Sequence, residues 1–122
     1  MEIGISKKGD LQILTAKGKI RLQHWRVLDK HLETMRANGG RWVALDVSEV
    51  SLICSTGIGA IIHNIRKFQE NEASLMLVAS SPYMQEVFQT FGWESFLGQS
   101  IFTDWRSLEK RLRSQGLALT GP

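Results

Sequence analysis

The stretch "LDVSEVSLICSTGIGAIIHNI", residues 45–65, decides the fold. It opens as an apolar, β-rich run, passes through the small polar cluster Ser55-Thr56-Gly57, and continues at once as an apolar run of helical period. Ile58, Ile61, Ile62, Ile65 and Phe68 share one helical face, so a helix is expected from Ser55 or Thr56 onward. A strand that feeds a helix with no linker between them is the repeating unit of an α/β domain.

The flanks extend the same alternation. Ile3 and Ile5 alternate with polar residues, and Leu11, Ile13 and Thr15 do so again after Gly9-Asp10, which predicts a hairpin. From Leu22 the period changes: Leu22, Trp25, Leu28, Leu32 and Met35 fall on one helical face, and "NGG" at 38–40 supplies a C-terminal stop. "RWVALDV", residues 41–47, reads as a buried strand, followed by a loop around Ser48 and Glu49 and a short extended piece, "SLIC". "LMLVAS", residues 75–80, is a further buried strand. Ser81-Pro82 then reads as a cap and first position of a third helix, with Met84, Val87, Phe88 and Phe91 inward and Gly92 at its end. A short strand near 100–102 and a last helix capped by Asp104, bearing Trp105, Leu108 and Leu112, complete the order. Strands alternating with helices imply crossover connections and a largely parallel sheet, and the opening hairpin makes it mixed. The expected fold is a single mixed β-sheet of about four to five strands with helices packed against it, over residues 1–114, with 115–122 a flexible tail. Trp25, Trp42, Trp93 and Trp105 fall on core faces or element ends, where packing is their ordinary use.

Composition narrows the function classes. At 122 residues, 43% apolar and 22% charged, the chain is the size and make-up of one ordinary domain. No apolar run nears the roughly 20 residues of a membrane span, and the N-terminus lacks the order of a signal peptide, so a cytoplasmic protein without membrane insertion is expected. One cysteine, Cys54, gives no disulfide framework and little for a zinc site. The net charge of +3 comes from scattered basic residues rather than a stripe, so no direct nucleic-acid binding is expected.

Catalytic patterns fit poorly. A hydrolase elbow needs Gly-x-Ser-x-Gly, and the residues before Ser55 are Ile-Cys. His63 would lie two turns along the helix that Ser55 begins, too far to serve as its base. Gly57 and Gly59 lack the third glycine and acidic partner of a dinucleotide site, and no Gly-Lys-Ser/Thr phosphate loop exists. His24 and His31 have no adjacent carboxylate pair for a metal. The chain is therefore read as a non-enzyme without metal or cofactor. Two roles remain for the Ser55 and Thr56 hydroxyls. One is to cap the helix, satisfying N–H groups that its first turn leaves unpaired. The other is to accept a phosphoryl group, whose charge the helix dipole and free N–H groups would favour. Gly57 and Gly59 are expected to allow close packing of the helix start against the strands.

"LDVSEVSLICSTGIGAIIHNIRKF" resembles the signature of the STAS domain, above all its anti-sigma factor antagonist branch, where Leu-Asp-Leu-Ser precedes Asp-Ser-Ser/Thr-Gly-Leu-Gly. "GKIRLQHWRVLDKHL" and "LMLVASSPYMQEVFQTFGWESFLGQSIFTDWRSLEKRL" are similar to the family's segments on either side. The resemblance implies the STAS fold. It also implies a phosphoacceptor at Ser55, with Thr56 the lesser candidate, in a bacterial partner-switching pathway. The implied partners are an anti-sigma factor serine kinase, bound when Ser55 is unphosphorylated, and a PP2C-type serine phosphatase. By the same resemblance Arg21, Ser48, Cys54, Ser55, Thr56, Gly57 and Ile58, with the loops 18–21 and 48–51, make up the docking face. Two residues depart from the pattern: Cys54 and Arg21 stand where acidic residues are usual. Alternative readings are a non-switching STAS subunit of a larger scaffold or transport complex, or a small nucleotide-binding or hydrolytic domain.

Overall fold

The computed structural model describes residues 1–90 and 100–119. The elements are β1 (Glu2–Lys8), β2 (Leu11–Ile20), α1 (Trp25–Ala37), β3 (Trp42–Ile53), α2 (Ser55–Glu70), β4 (Ser74–Val78), α3 (Pro82–Thr90), β5 (Ile101–Phe102) and α4 (Trp105–Ser114). They form one five-stranded sheet in the order β1-β2-β3-β4-β5, antiparallel between β1 and β2 and parallel elsewhere. The predicted α/β class and mixed sheet are those of the structure. The expected helix end at Gly92, and Phe91 and Trp93, lie outside the described residues.

The central strands are apolar on both faces, and their alternation splits the interior into two cores. Val43, Leu45, Val47, Leu75 and Leu77 point to one side. There they meet Leu28, Leu32 and Met35 of α1, Ile58, Ile61, Ile65 and Phe68 of α2, and Met84 and Phe88 of α3. Ala44, Met76 and Val78 point to the other, where α4 packs with Leu108 and Leu112. Trp42 and Trp105 pack against this second core. A buried polar side chain on α2, Asn64, links α2 to α1: its amide donates to Asp29 Oδ1 at 2.7 Å and to the Ala60 carbonyl at 2.8 Å. Hydrogen bonding of this kind offsets the cost of burying the amide.

Asp104 caps α4 as the sequence predicts, its carboxylate accepting from the Ser107 N–H at 2.7 Å. That bond is the leading reason the Asp104 carboxyl is held below its ordinary value. A depressed carboxyl stabilises the fold above its unfolded-chain pKa. The contribution fades as the pH falls through the lower, folded value.

Two expectations are corrected. The first helix starts at Trp25 and not at Leu22, because Arg21–His24 closes a turn: the His24 N–H donates to the Arg21 carbonyl at 2.9 Å and the Arg21 N–H to His24 Nδ1 at 3.0 Å. Leu22 is consequently 66% exposed. The loop expected at Ser48 and Glu49 is strand, since β2 partners β3 along Lys17↔Glu49, Gly18↔Val50, Lys19↔Leu52 and Ile20↔Ile53, with local register shifts absorbing the irregularity.

Residues 117–119, part of the expected flexible tail, lie against the β1–β2 turn: the Asp10 N–H donates to the Ala118 carbonyl at 2.9 Å, and Leu119 is buried in the second core. Gly9 makes this contact possible. Its φ is +59°, and a Cβ there would overlap the Ala118 carbonyl. Gly9→Ala is expected to undock residues 117–119 and destabilise the fold by about 1–3 kcal/mol. Urea denaturation and amide exchange at Leu119 would measure this.

Candidate functional site

Beyond Asp46 and Val78 the β3–β4 pairing stops, while β2 and β3 run on together to Ile20 and Ile53. This two-stranded extension carries the start of α2 at its tip. The Cys54 N–H donates to the Ile20 carbonyl at 2.9 Å, and the Ile53 N–H to the Tyr83 hydroxyl of α3 at 3.1 Å. Gly57 sits where the helix touches both strands: a Cβ there would lie 3.2 Å from Ile53 Cγ1 and 3.3 Å from Ile20 Cγ2. Gly57 thus provides the expected close approach. Gly59 does not, since it is exposed and a Cβ there would meet nothing within 4 Å.

Neither Ser55 nor Thr56 caps α2. Cys54 does, with extended backbone (φ −76°, ψ 158°) and Sγ accepting from the Gly57 N–H at 3.3 Å. Ser55 and Thr56 occupy the first two helical positions, both exposed. Among the described residues their hydroxyls and their N–H groups make no hydrogen bond. The capping role is therefore filled by the residue before them, and the Ser55 hydroxyl stands free at a helix N-terminus. The first turn of α2 contains no acidic residue.

The other predicted residues divide by burial. Arg21 is exposed just past the end of β2, within the turn that His24 closes. Ser48 is half-buried and committed to the sheet, its Oγ accepting from the Ser80 N–H at 3.0 Å and reaching the Val78 carbonyl at 3.4 Å. Ile58, expected on the docking face, is 3% exposed and belongs to the first core, so it supports the surface from beneath. Gly57 is likewise buried. Sequence reasoning missed two apolar side chains at this end, Leu22 (66% exposed) and Leu52 (41%). Leu52 pairs with Lys19 on β2, while Leu22 lies in the turn that follows the end of β2. Helical spacing concealed Leu22 by assigning it to a core face. Asp46 was also missed as a scaffold. Its Oδ1 accepts from the Ser48 N–H at 2.9 Å and its Oδ2 from Trp105 Nε1–H at 2.8 Å, tying the end of the β3–β4 pairing to α4.

The site thus presents an exposed serine hydroxyl on a helix N-terminus, a guanidinium, and two exposed leucines, one in β3 and one in the turn after β2. It has no cluster of three or more His, Cys, Asp or Glu able to hold a metal among the described residues. Residues 3–99 match the family model described as "Mlab, STAS domain", and the chain belongs to the STAS domain family. Solved structures share the fold over nearly the whole chain. SpoIIAA of Bacillus, solved in its phosphorylated form, superposes with a TM-score of 0.71 at 17% identity, covering 92% of this chain and 100% of its own. An anti-sigma factor antagonist from Mycobacterium paratuberculosis gives 0.81 at 14% identity, over 92% and 93%. The murine anion transporter Slc26a9 gives 0.73 at 14% identity, over 89% of this chain and 18% of the transporter. No curated protein matches by sequence. Among the described residues no helix is long and apolar enough to cross a membrane.

A thiol is a weak hydrogen-bond acceptor. Cys54→Asp is expected to stabilise the protein by about 0.5–1 kcal/mol through a stronger, charged cap. Cys54→Ala is expected to destabilise it by a similar amount. Chemical denaturation of the three proteins at neutral pH would order them.

Proposed function

We propose that this chain is an anti-sigma factor antagonist of a bacterial partner-switching pathway. Unphosphorylated, it binds a cognate anti-sigma factor serine kinase in the cytoplasm. Phosphorylation of Ser55 by that kinase ends the binding, and a PP2C-type serine phosphatase restores it. On this reading the chain is a substrate and binding module, and the chemistry belongs to its partners.

One observation carries the reading: the Ser55 hydroxyl is exposed and unbonded among the described residues, because Cys54 caps α2 in its place. A kinase can reach that hydroxyl without unfolding the helix. The unpaired N–H groups of the first turn and the helix dipole would then stabilise the phosphate, so α2 would persist and only the surface would change. Loss of binding would follow from placing a doubly charged, strongly hydrated group on a surface from which a partner must exclude water. SpoIIAA, similar in fold, is known both as an anti-sigma factor antagonist and in a phosphorylated form, which supports the same reading here.

A second reading, a constitutive STAS subunit of a larger scaffold or transport complex, is favoured by Cys54 and Arg21 at positions where the resemblance leads one to expect acids. Charge reversal at a partner surface is a strong device of discrimination. If the switch operates, its kinase carries a docking surface suited to a cation at Arg21.

Intact mass and phosphopeptide mapping across residues 51–66, on protein from its native host, separate the two. The expected result is a single phosphate on Ser55 that a serine phosphatase removes and that Ser55→Ala abolishes. Ser55→Asp is expected to weaken kinase binding by about ten-fold or more. A chain never modified in the host, refused by kinases in vitro, and recovered in stoichiometric complex with non-kinase proteins would leave the constitutive reading standing.

A further inference from the structure

The open edge of the sheet at its N-terminal side is β1. Its seven residues pair with β2 in unbroken register from Glu2↔Lys17 to Lys8↔Leu11, without a bulge or a proline. Glu2, Gly4, Ile5, Ser6 and Lys7 are exposed, and Ile5 is 62% exposed. Long, regular edges of this kind are templates for another strand, and proteins usually blunt them. The lysines at one end are the nearest thing to a guard, and Lys8 is drawn onto α4 by Glu109 at 2.6 Å.

The phase of the open backbone follows from the hairpin. A two-residue turn at Gly9-Asp10 makes Lys8 and Leu11 the hydrogen-bonded closing pair. Alternation along an antiparallel ladder then assigns Ser6, Gly4 and Glu2 to bonding with β2. Ile3, Ile5 and Lys7 therefore turn their N–H and C=O groups outward. A second β1 laid antiparallel about a two-fold axis at Ile5 sets Ile5 against Ile5, Ile3 against Lys7, Gly4 against Ser6, and Glu2 against Lys8. Every outward backbone group of the strand finds a partner in that register, and at both ends Glu2 comes to face Lys8, whose ammonium also holds Glu109 of its own chain.

The groove beside the edge fits the same occupant. A cavity of about 520 Å³ lies between the hairpin and α1, lined by Ile5, Gln12, Val27, His31, Thr34 and Met35 among others. Among the described residues, two of the four exposed large apolar side chains, Ile5 and Val27 (48%), face it, and no carboxylate lines it. Residues directly opposite in a ladder point to the same face, so the two Ile5 side chains would meet at the mouths of the two grooves.

We propose that β1 is a self-association edge. Two copies of this chain join their five-stranded sheets into one continuous sheet through β1–β1 pairing centred on Ile5. The interface is isologous, as a two-fold dimer requires. It uses neither Ser55 nor the β2–β3 extension, so it stands independently of the proposed switch.

Light scattering coupled to gel filtration, on the full chain over a range of concentration, tests the idea. The expected result is twice the 13.8 kDa chain mass at high concentration. Ile5→Lys, Glu2→Lys and Lys8→Glu are each expected to weaken dimerisation by roughly ten-fold or more, the charge variants by placing like charges opposite at both ends. Mixing Glu2→Lys with Lys8→Glu should restore a dimer, because the heterodimer again pairs opposite charges. Circular dichroism confirms that each variant is folded. A nitroxide spin label on Ile5→Cys gives a register readout: strong dipolar broadening is expected across the two-fold axis, since a hydrogen-bonded pair holds its Cα atoms about 5.5 Å apart. A chain that stays monomeric at every concentration, a dimer indifferent to these substitutions, or an amphiphile found seated in the groove of a monomer would each overturn the proposal.

Discussion

The contact between the first turn of α2 and the ends of β2 and β3 governs the rest of the site. At Gly57 the helix comes so near both strands that even one added carbon would press on Ile53 and Ile20. That closeness fixes where α2 begins and leaves Cys54 as the residue that must bridge strand and helix. The cap falls to the thiol, and the hydroxyls after it turn to solvent. Had the helix started one residue later, Ser55 would occupy the capping position and its hydroxyl would be engaged by the backbone. Accessibility of Ser55 is thus a result of packing two residues away.

The sheet beneath divides its work between its faces. Three helices cover one side, where β3 and β4 contribute Val43, Leu45, Val47, Leu75 and Leu77. α4 covers the other with a smaller core, and the Asp46–Trp105 bond pins it there. Asp46 also holds the Ser48 N–H, and Ser48 holds the N–H of Ser80, so the point where β4 leaves β3 is bound by polar contacts. From that braced point the β2–β3 pair projects alone. That strand pair carries the start of α2 at its tip, with Leu52 exposed on β3 and Leu22 exposed in the turn after β2. Leu22 and Leu52 can lose water on contact without any cost in the buried core.

Much of the order of elements was legible in the sequence, because burial on one or both faces imposes a period that local reading detects. The strand 41–47, the helix after Ser55, the proline-started helix and the Asp104 cap all follow from residue types within a few positions. What local reading could not supply was the length of β3, which depends on β2 being present as a partner, and the burial of Ile58 beneath the face it was expected to form. Leu22 continued the helical period of α1 by coincidence of spacing, while a turn closed by His24 took it out of the helix.

By itself the sequence determined that this is an α/β domain with a small polar hinge between a buried strand and a buried helix, and its STAS signature pointed to Ser55. Tertiary structure decided which residue caps that helix, and so which hydroxyl stays free. It also decided which leucines remain in water and which strand is left at an open edge. Those outcomes depend on distances between segments far apart in the chain, such as Ile20 to Cys54 or Gly9 to Ala118, and no period within a single segment encodes them.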